Sequence, residues 1–472
     1  MKNLNLIINS MELIKSNRVN INYLAKVVKI DNFGKHPNPE VTRLKCAYVD
    51  GFNIIVGIDE QPGLFVYFPT NSQINPELLR YANLYRHAEL NDNPEKSGLF
   101  NDNGRVTAIK LKGLVSEGFL LPWDTFNSFL LASVNVGIDN PEVNFEFDAI
   151  YHNGKEFWIN KKYTVVRNTA GTQGSKSRQK SQKRLKEFDR IIENQFRYHY
   201  DTVLLKKSPW VIKPDSLISI TEKIHGASGI SAYVICNRPT TLLEKIGLLF
   251  TGCGWKTFTP EYNYIYASRN VIKSQYINKN VKAGHYGVDV WKYADDVVRP
   301  FLQKGMTMYY EIVGFLPNGN YIQKDYDYGC VPPTEGEVYT HEKHFKVRIY
   351  RITMTNVDGI VHEFSAREVQ QFCEMAGLTP VTQLYYGYAK NLYPKMRSTT
   401  NFSKNFIAKL AEDTNFYMEM CSPSCNNRVP NEGIVIRVED MMPHAWKLKC
   451  FDFLNKEQKE LDKGEENIED NA

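Results

Sequence analysis

The residue with the most chemical promise is Lys223, in the run Ile220-Thr221-Glu222-Lys223-Ile224-His225-Gly226-Ala227-Ser228. The apolar-polar alternation before it predicts a strand, and the glycine predicts a turn. A lysine at a strand end stands near the rim of a sheet, and a glycine three residues on lets the backbone approach a phosphate. Such an amine can act as a nucleophile only when neutral, against an ordinary pKa of about 10.4, so its site must disfavour the ammonium form. By itself Lys-x-x-Gly recurs about once in a few hundred residues of average composition. A solvated surface lysine is the ordinary reading of one occurrence.

An ordered series downstream changes that. Ser268-Arg269-Asn270 is followed by Tyr309-Tyr310-Glu311-Ile312-Val313-Gly314 and Val347-Arg348-Ile349-Tyr350-Arg351-Ile352. Then come Asn431-Glu432-Gly433-Ile434-Val435-Ile436-Arg437 and Trp446-Lys447-Leu448-Lys449. Glu311, flanked by Tyr310, Ile312 and Val313, stands either on the polar face of a half-buried strand or in a cleft. Lys447 and Lys449 alternate across Leu448, so on a strand both face one ligand or one stretch of solvent. Arg269, Lys447 and Lys449, with metal ions, are the cations that would keep Lys223 neutral and stabilise charge on a phosphate under attack.

This series resembles the covalent nucleotidyltransferase superfamily of ATP-dependent RNA ligases, DNA ligases and mRNA capping enzymes, whose motifs occur in this order. The Lys-Ile-His-Gly form is similar to that of RNA ligases, because DNA ligases and capping enzymes usually carry Asp where this chain has His225. The resemblance implies that Lys223 is the nucleophile that becomes adenylated. It implies an ATP/AMP pocket drawn from Glu222, Ile224, His225, Gly226, Arg269, Glu311, Tyr350, Glu432, Lys447 and Lys449. Glu222 would line the adenine pocket through its backbone carbonyl, Glu311 would bind the ribose hydroxyls, and Arg269 would contact ribose or phosphate and help engage the 5′ end. Glu432, with Glu311, would hold Mg²⁺ directly or through water, with Mn²⁺ as a substitute; a hard cation that keeps its waters suits carboxylates. Two positions depart from the family pattern. Val347 stands where an aromatic ring usually stacks on adenine, leaving Phe345 or Tyr350 to supply it, and on a regular strand these two face opposite sides. Ala227-Ser228 replaces the usual Thr-Asn, and Ser228 is given no role.

The elements that must position these residues fall into two parts. Between Asn22 and Val166 short β-type runs dominate: Leu24–Ile30, Leu44–Val49, Asn53–Gly57, Leu64–Phe68 and Val106–Leu111. Asp50-Gly51 between two of them is a tight-hairpin signal, because both residues tolerate positive φ. Regular strand spacing predicts a small barrel rather than a βαβ sheet. From Arg197 to Leu454 an α+β domain is expected, with a helix capped by Ser365 and Glu368 that runs through Met375 to Gly377, and a second over Asn405–Glu412. With the resemblance, the expected fold is α+β: an ATP-grasp-like nucleotidyltransferase domain (195–455) preceded by an all-β OB-type barrel (21–166). An N-terminal extension (1–20), a basic linker (167–194) with six cations between Lys176 and Lys186, and an acidic disordered tail (456–472) complete the division.

The front part supports the RNA-ligase branch. His36-Pro37-Asn38-Pro39, Val66-Tyr67-Phe68-Pro69 and Leu111-Lys112-Gly113-Leu114-Val115-Ser116-Glu117-Gly118 resemble the OB-type domain that precedes the ligase domain in one branch of RNA ligases. That branch also carries a string like Gln323-Lys324-Asp325-Tyr326-Asp327-Tyr328-Gly329. An OB barrel with basic rims suits RNA. DNA ligases and capping enzymes instead place a barrel after the last lysine motif, and 23 residues follow Lys449.

Bulk composition is permissive. A net charge of +5 from 58 basic and 53 acidic residues makes polyanion binding a matter of placement. No apolar run reaches the roughly 18 residues of a membrane span. Eight cysteines without a secreted-framework spacing suit a reducing cytoplasm. Cys421 and Cys425 lack a second pair at zinc-ligand spacing. The expectation is thus a monomeric, cytoplasmic, ATP-dependent RNA ligase that seals 3′-OH and 5′-phosphate ends in RNA repair, with a nicked duplex or tRNA as candidate substrates. The rival readings are a DNA ligase or capping guanylyltransferase, and a non-catalytic RNA-binding protein with a decayed ligase domain.

Overall fold

The computed structural model describes residues 11–16, 20–165, 191–199, 201–251, 258–273, 286–397, 400–440 and 443–464. The basic linker segment Lys176–Lys186 lies outside the described residues.

In the front part, strands β1 (Ala25–Ile30), β4 (Gly63–Phe68), β5 (Phe119–Pro122) and β6 (Glu146–Phe147) form a sheet in the order β5-β4-β1-β6. Strands β2 (Leu44–Val49) and β3 (Phe52–Gly57) make a separate hairpin. Asp50 and Gly51 form its two-residue turn, with Asp50 at φ 53°. Gly51 is required for a second reason. Its N–H donates to the Lys206 carbonyl at 2.7 Å, and a Cβ there would lie 2.8 Å from that oxygen. The hairpin thereby seats against the back part.

The front part is not the all-β barrel expected. Its strands divide among several small sheets, no closed barrel forms among the described residues, and a 12-residue helix α1 (Trp123–Val134) fills its core. Trp123, Phe126, Phe129 and Leu130 recur at helical spacing and pack with Val66, Phe68 and Phe147. That periodicity is the signal a strand-only reading passes over. The expected strand over Val106–Leu111 shrinks to Ile109–Leu111.

The back part holds two five-stranded sheets. One runs β7 (Val203–Leu204), β16 (His444–Lys449), β15 (Gly433–Val438), β8 (Leu217–Glu222), β14 (Gln383–Tyr388) in spatial order. The other runs β10 (Phe258–Ser268), β9 (Ala227–Pro239), β11 (Met306–Gly314), β12 (Phe345–Thr355), β13 (Val361–Glu363).

Period-two alternation decides what each sheet presents. Ile218, Ile220, Ile434, Ile436 and Leu448 face a core with Phe402, Phe406, Ile407 and Phe453. Their neighbours Ser219, Thr221, Val435, Arg437 and Ala445 face the space between the sheets. A one-residue slip would turn that polar row into the core, so burial of the isoleucines, worth roughly 1.5–3 kcal/mol each, locks the register. On the second sheet, helices α3 (Val290–Val298) and α4 (Ala366–Ala376) cover Met308, Tyr310, Ile312, Val347 and Ile349.

Helix α4 is capped as expected, by reciprocal Ser365 and Glu368 bonds and by Gly377 at φ 67°. The expected helix at Asn405–Glu412 is α5 (Phe402–Leu410), shifted toward the N-terminus because Phe402, Phe406, Ile407 and Leu410 form its buried stripe. The stretch from Lys456, expected to be disordered, is helical to Asp462 as part of α6 (Phe451–Asp462). Buried Arg105 of the front part donates to the Gln458 carbonyl at 3.1 Å and to Asp462 at 2.6 Å, which accounts for the order. Residues 465–472 lie outside the described residues. Among the described residues no helix is long and apolar enough to cross a membrane.

Candidate active site

Lys223 follows β8, and its N–H donates to the Gly433 carbonyl at 2.9 Å. This bond places the Lys223 side chain beside the residue that precedes β15. Its Nζ lies 2.5 Å from Glu432 Oε1, and Glu432 is only 1% exposed. Lys449 Nζ is 3.7 Å from the same oxygen and 3.0 Å from each oxygen of Glu457 on α6. His225 Nδ1 stands 3.8 Å from Glu432 Oε2, its ring edge-on to Tyr326 and Phe453. Glu432 therefore gathers Lys223, Lys449 and His225, three residues remote from it in sequence.

The turn after Lys223 is bound from below by the Gln323–Gly329 string. Gln323 Nε2 donates to the Gly226 carbonyl at 2.9 Å, and the His225 N–H donates to Tyr328 Oη at 2.7 Å. Tyr326 Oη reaches the Pro430 carbonyl at 2.8 Å, which fixes the approach to Glu432. Gly226 is packed too tightly for a side chain. A Cβ would sit 2.7 Å from the Ile312 carbonyl, 2.8 Å from Val313 Cγ1 and 3.2 Å from Glu311 Oε2.

Above Lys223 the two sheets enclose an open-mouthed cleft. Glu222, Lys223, Ile224, Glu311 and Tyr350 line it, as expected. Burial raises the Glu222 carboxyl above its ordinary pKa, opposed by hydrogen bonds from Thr382 and Ser424.

Of the two candidate rings, Tyr350 faces the cleft, whereas Phe345 is core, stacked on Tyr339 at 4.8 Å. Val347 is buried with Phe345. Phe345, Val347 and Ile349 alternate into the core, which sends Tyr350 to the opposite face, and a register break then adds a second residue to that face. Tyr309 pairs with Arg351 but Tyr310 pairs with Ile349, so Tyr350 is the extra residue of a bulge. Bulges re-aim side chains, and this one brings Arg351 into the cleft beside Tyr350. Tyr350 Oη lies 3.4 Å from Ser228 Oγ and 3.3 Å from His199 Nδ1. Burial, then the charge of Glu311, raises its phenol above the ordinary range.

Arg269, Lys447 and Lys449 line an adjoining opening with Asn20, Tyr23, Asn71 and Lys162 of the front part. Lys447 and Lys449 thus share a face, as their spacing requires. Arg269 is paired with Asp201. Not every expected residue lines the cleft: Glu432, His225 and Gly226 do not, Glu432 held behind Lys223, His225 as its neighbour and Gly226 under Glu311.

Several lining residues were not expected: His199, Thr202, Arg351, Glu363 and Arg437. Arg437 was legible, two positions past Val435 on one strand. Arg351 was hidden by the bulge, and nothing in its own sequence marks His199. The His199 pKa is pushed down to about 3 by burial, then by Arg269, Arg351, Lys447 and Lys223. Cations from four separate segments thus act on one imidazole.

The donors also fit a hard divalent ion. Glu311 and Glu432 offer carboxylate oxygens, but among the described residues no three His, Cys, Asp or Glu gather to cage a metal. An ion there would keep waters or take substrate oxygens, as Mg²⁺ does.

No family model matches the sequence, and no curated protein matches it. Among solved structures the chain is similar to Naegleria gruberi RNA ligase with PPi, at 16% identity and a TM-score of 0.50, over 93% of this chain and 99% of that one. It is equally similar to a point mutant of that ligase with ATP and Mn, at 15% identity and a TM-score of 0.50, over 92% and 99%. At such identity the likeness is one of architecture: over nearly its whole length the chain has the fold of an RNA ligase.

Proposed function

We propose that the protein is an ATP-dependent RNA ligase with Lys223 as its adenylated nucleophile. The observation that carries this reading is the Lys223 amine, 2.5 Å from buried Glu432, at the floor of a cleft with cations converging on His199. Lys223 Nζ attacks the α-phosphorus of ATP; an N–P bond forms, the bond to the β-phosphate oxygen breaks, and pyrophosphate leaves. The AMP then passes to an RNA 5′-phosphate, and a 3′-hydroxyl displaces it to form the phosphodiester.

Glu432 holds the Lys223 amine at the site and, as a carboxylate, favours its charged form. A bound Mg²⁺ or Mn²⁺ would offset that carboxylate and stabilise phosphate charge. Arg269, Lys447 and Lys449 line the adjoining opening, where the leaving phosphates would lie. Tyr350 supplies the ring for adenine and Glu222 the polar end of its pocket. The front part, read as an OB-type module whose strands split into sheets, is the RNA platform, with the domain division stated above.

The test is incubation with labelled ATP or GTP and a divalent ion, followed by mapping of the covalent adduct. An ATP adduct on Lys223 is expected, and a GTP-only adduct would sink the reading. Matched nicked RNA, nicked DNA and single-stranded RNA then define the substrate. If Lys223→Ala still joined 5′-phosphate ends in the presence of ATP, the nucleophile would be misassigned.

A further inference from the structure

Lys447 and Lys449 line the opening beside the cleft, and Lys449 is gripped there by a helix that crosses the molecule. Whereas α2 (Leu242–Phe250) is tied to β9 through Glu244 and Arg238, and α3 packs on the same sheet, α6 spans the seam between the front and back parts. Two rows of its side chains, each at i, i+4 spacing and so each on one face, divide the contacts. Phe453, Glu457 and Leu461 form the row toward the site. Phe453 is 1% exposed and meets the His225 ring edge-on at 5.0 Å, Lys449 Nζ donates to both Glu457 oxygens at 3.0 Å, and Leu461 lines the opening with Arg269 and Lys447. Gln458 and Asp462 form the row toward the front part. Arg105 donates to the Gln458 carbonyl and to Asp462, and the Gln458 side-chain amide pairs with the N–H and carbonyl of Ala108 at 3.2 Å each.

The anchors of α6 are thus split. Its first turn belongs to the back part, where Glu419 accepts the Phe451 and Asp452 N–H groups at 2.7 and 3.4 Å and Phe453 is core. Its last turn is held by the front part. A terminal turn without an anchor frays, and the helical bond of the Glu457 carbonyl is to the N–H of Leu461, four residues on. Loosening of the last turn therefore reaches Glu457. Lys449 can then close the remaining 3.7 Å to Glu432, the carboxylate that holds Lys223.

We propose that Arg105 and Glu457 are positioning residues: through α6 the front part holds Lys449 at the phosphate opening and keeps it off Glu432. The consequence for catalysis rests on the adenylation reading above. Docking of the front part does not hang on this tie, since Asn22 also binds the Leu204 N–H at 2.9 Å and the Thr202 carbonyl at 3.1 Å, and Lys206 pairs with Glu117. Untying α6 leaves the front part seated.

The test is a double-mutant cycle on the full chain. Arg105→Met with Gln458→Leu unties the front row, Glu457→Gln weakens the grip on Lys449, and a further variant carries all three changes. The first readout is the single-turnover rate of adduct formation on Lys223 at saturating ATP, well below each melting temperature. Untying and Glu457→Gln should each slow it roughly tenfold, with the half-saturating ATP concentration moved by about twofold or less. The combined variant should lose no more than the slower of the two. The second readout needs no turnover: acetylation of Lys449 by acetic anhydride, measured by mass spectrometry against Lys29, whose side chain is 60% exposed. An amine held by one carboxylate instead of two is more often neutral and reactive, so either change should raise Lys449 labelling several-fold, again without adding. Should the untied variant not fold, Asp462→Ala, at a side chain 46% exposed, cuts one bond of the tie and should move both readouts the same way. Parent rates in both variants overturn the proposal, as does a combined loss equal to the product of the separate losses, which would make Arg105 and Glu457 independent braces. Unchanged Lys449 labelling in the untied variant overturns it too. A parent chain that forms no adduct overturns the ligase reading instead, and the labelling still decides the tie.

Discussion

Gly226→Ala perturbs the geometry beneath Lys223 through one methyl group, which also meets Glu311 Oε2 at 3.2 Å. The glycine is not at positive φ, so alanine adds no backbone strain, only a methyl 2.7 Å from the Ile312 carbonyl and 2.8 Å from Val313 Cγ1. Restoring ordinary contact needs a shift of roughly 0.7 Å. The atoms in the way belong to β11, paired on both edges by β9 and β12, so the turn must move instead. Overpacking of this kind costs about 1–3 kcal/mol, a fall in melting temperature of roughly 3–10 °C. The turn carries Lys223 and lies against Glu311, so displacement on this scale should slow adduct formation about ten- to a hundredfold. Stopped-time labelling with ATP, alongside thermal unfolding, reads both effects. Adduct formation at the parent rate with an unchanged melting temperature would refute the claim that this contact positions the lysine.

Other perturbations separate the remaining roles. Lys223→Ala should abolish the adduct while 5′-adenylated RNA supplied from outside is still sealed, measured on a nicked substrate. Glu432→Gln removes the charge beside the Lys223 amine and should lower the adduct rate at least tenfold, with a shifted pH profile that a merely structural role would not produce. Tyr350→Leu should raise the KM for ATP several-fold, with Tyr350→Phe near the parent, if the ring supports the base; equal losses in both would assign the effect to the hydroxyl. His199 has a folded pKa of about 3 against about 6.5 unfolded, so the unfolded chain takes up the proton first as pH falls. Its contribution is whole above about pH 6.5 and is lost progressively toward pH 3. By pH 5 the loss should be on the order of 1 kcal/mol after allowance for partial exposure, read as a denaturant-midpoint difference from His199→Phe.

What the sequence by itself determined is the set of residues whose chemistry survives any packing detail. Lys223, Glu311, Glu432, Lys447 and Lys449 were picked out by the order of their motifs, and β alternation, which is local, put Lys447 and Lys449 on one face. The cap of α4 and the Asp50-Gly51 turn were readable for the same reason. Tertiary structure alone decided the rest. Arg351 joins Tyr350 in the cleft because a bulge opposite Tyr309 and Tyr310 re-aims it, and a register shift depends on the partner strand. His199 belongs to the site only because cations from four separate segments surround it. The stretch after Lys456 is helical rather than disordered because Arg105, more than 350 residues away, binds it. The front part is not all-β because an aromatic stripe at helical spacing found a sheet to pack on. Pairing partners and burial are non-local quantities, so no window of sequence contains them.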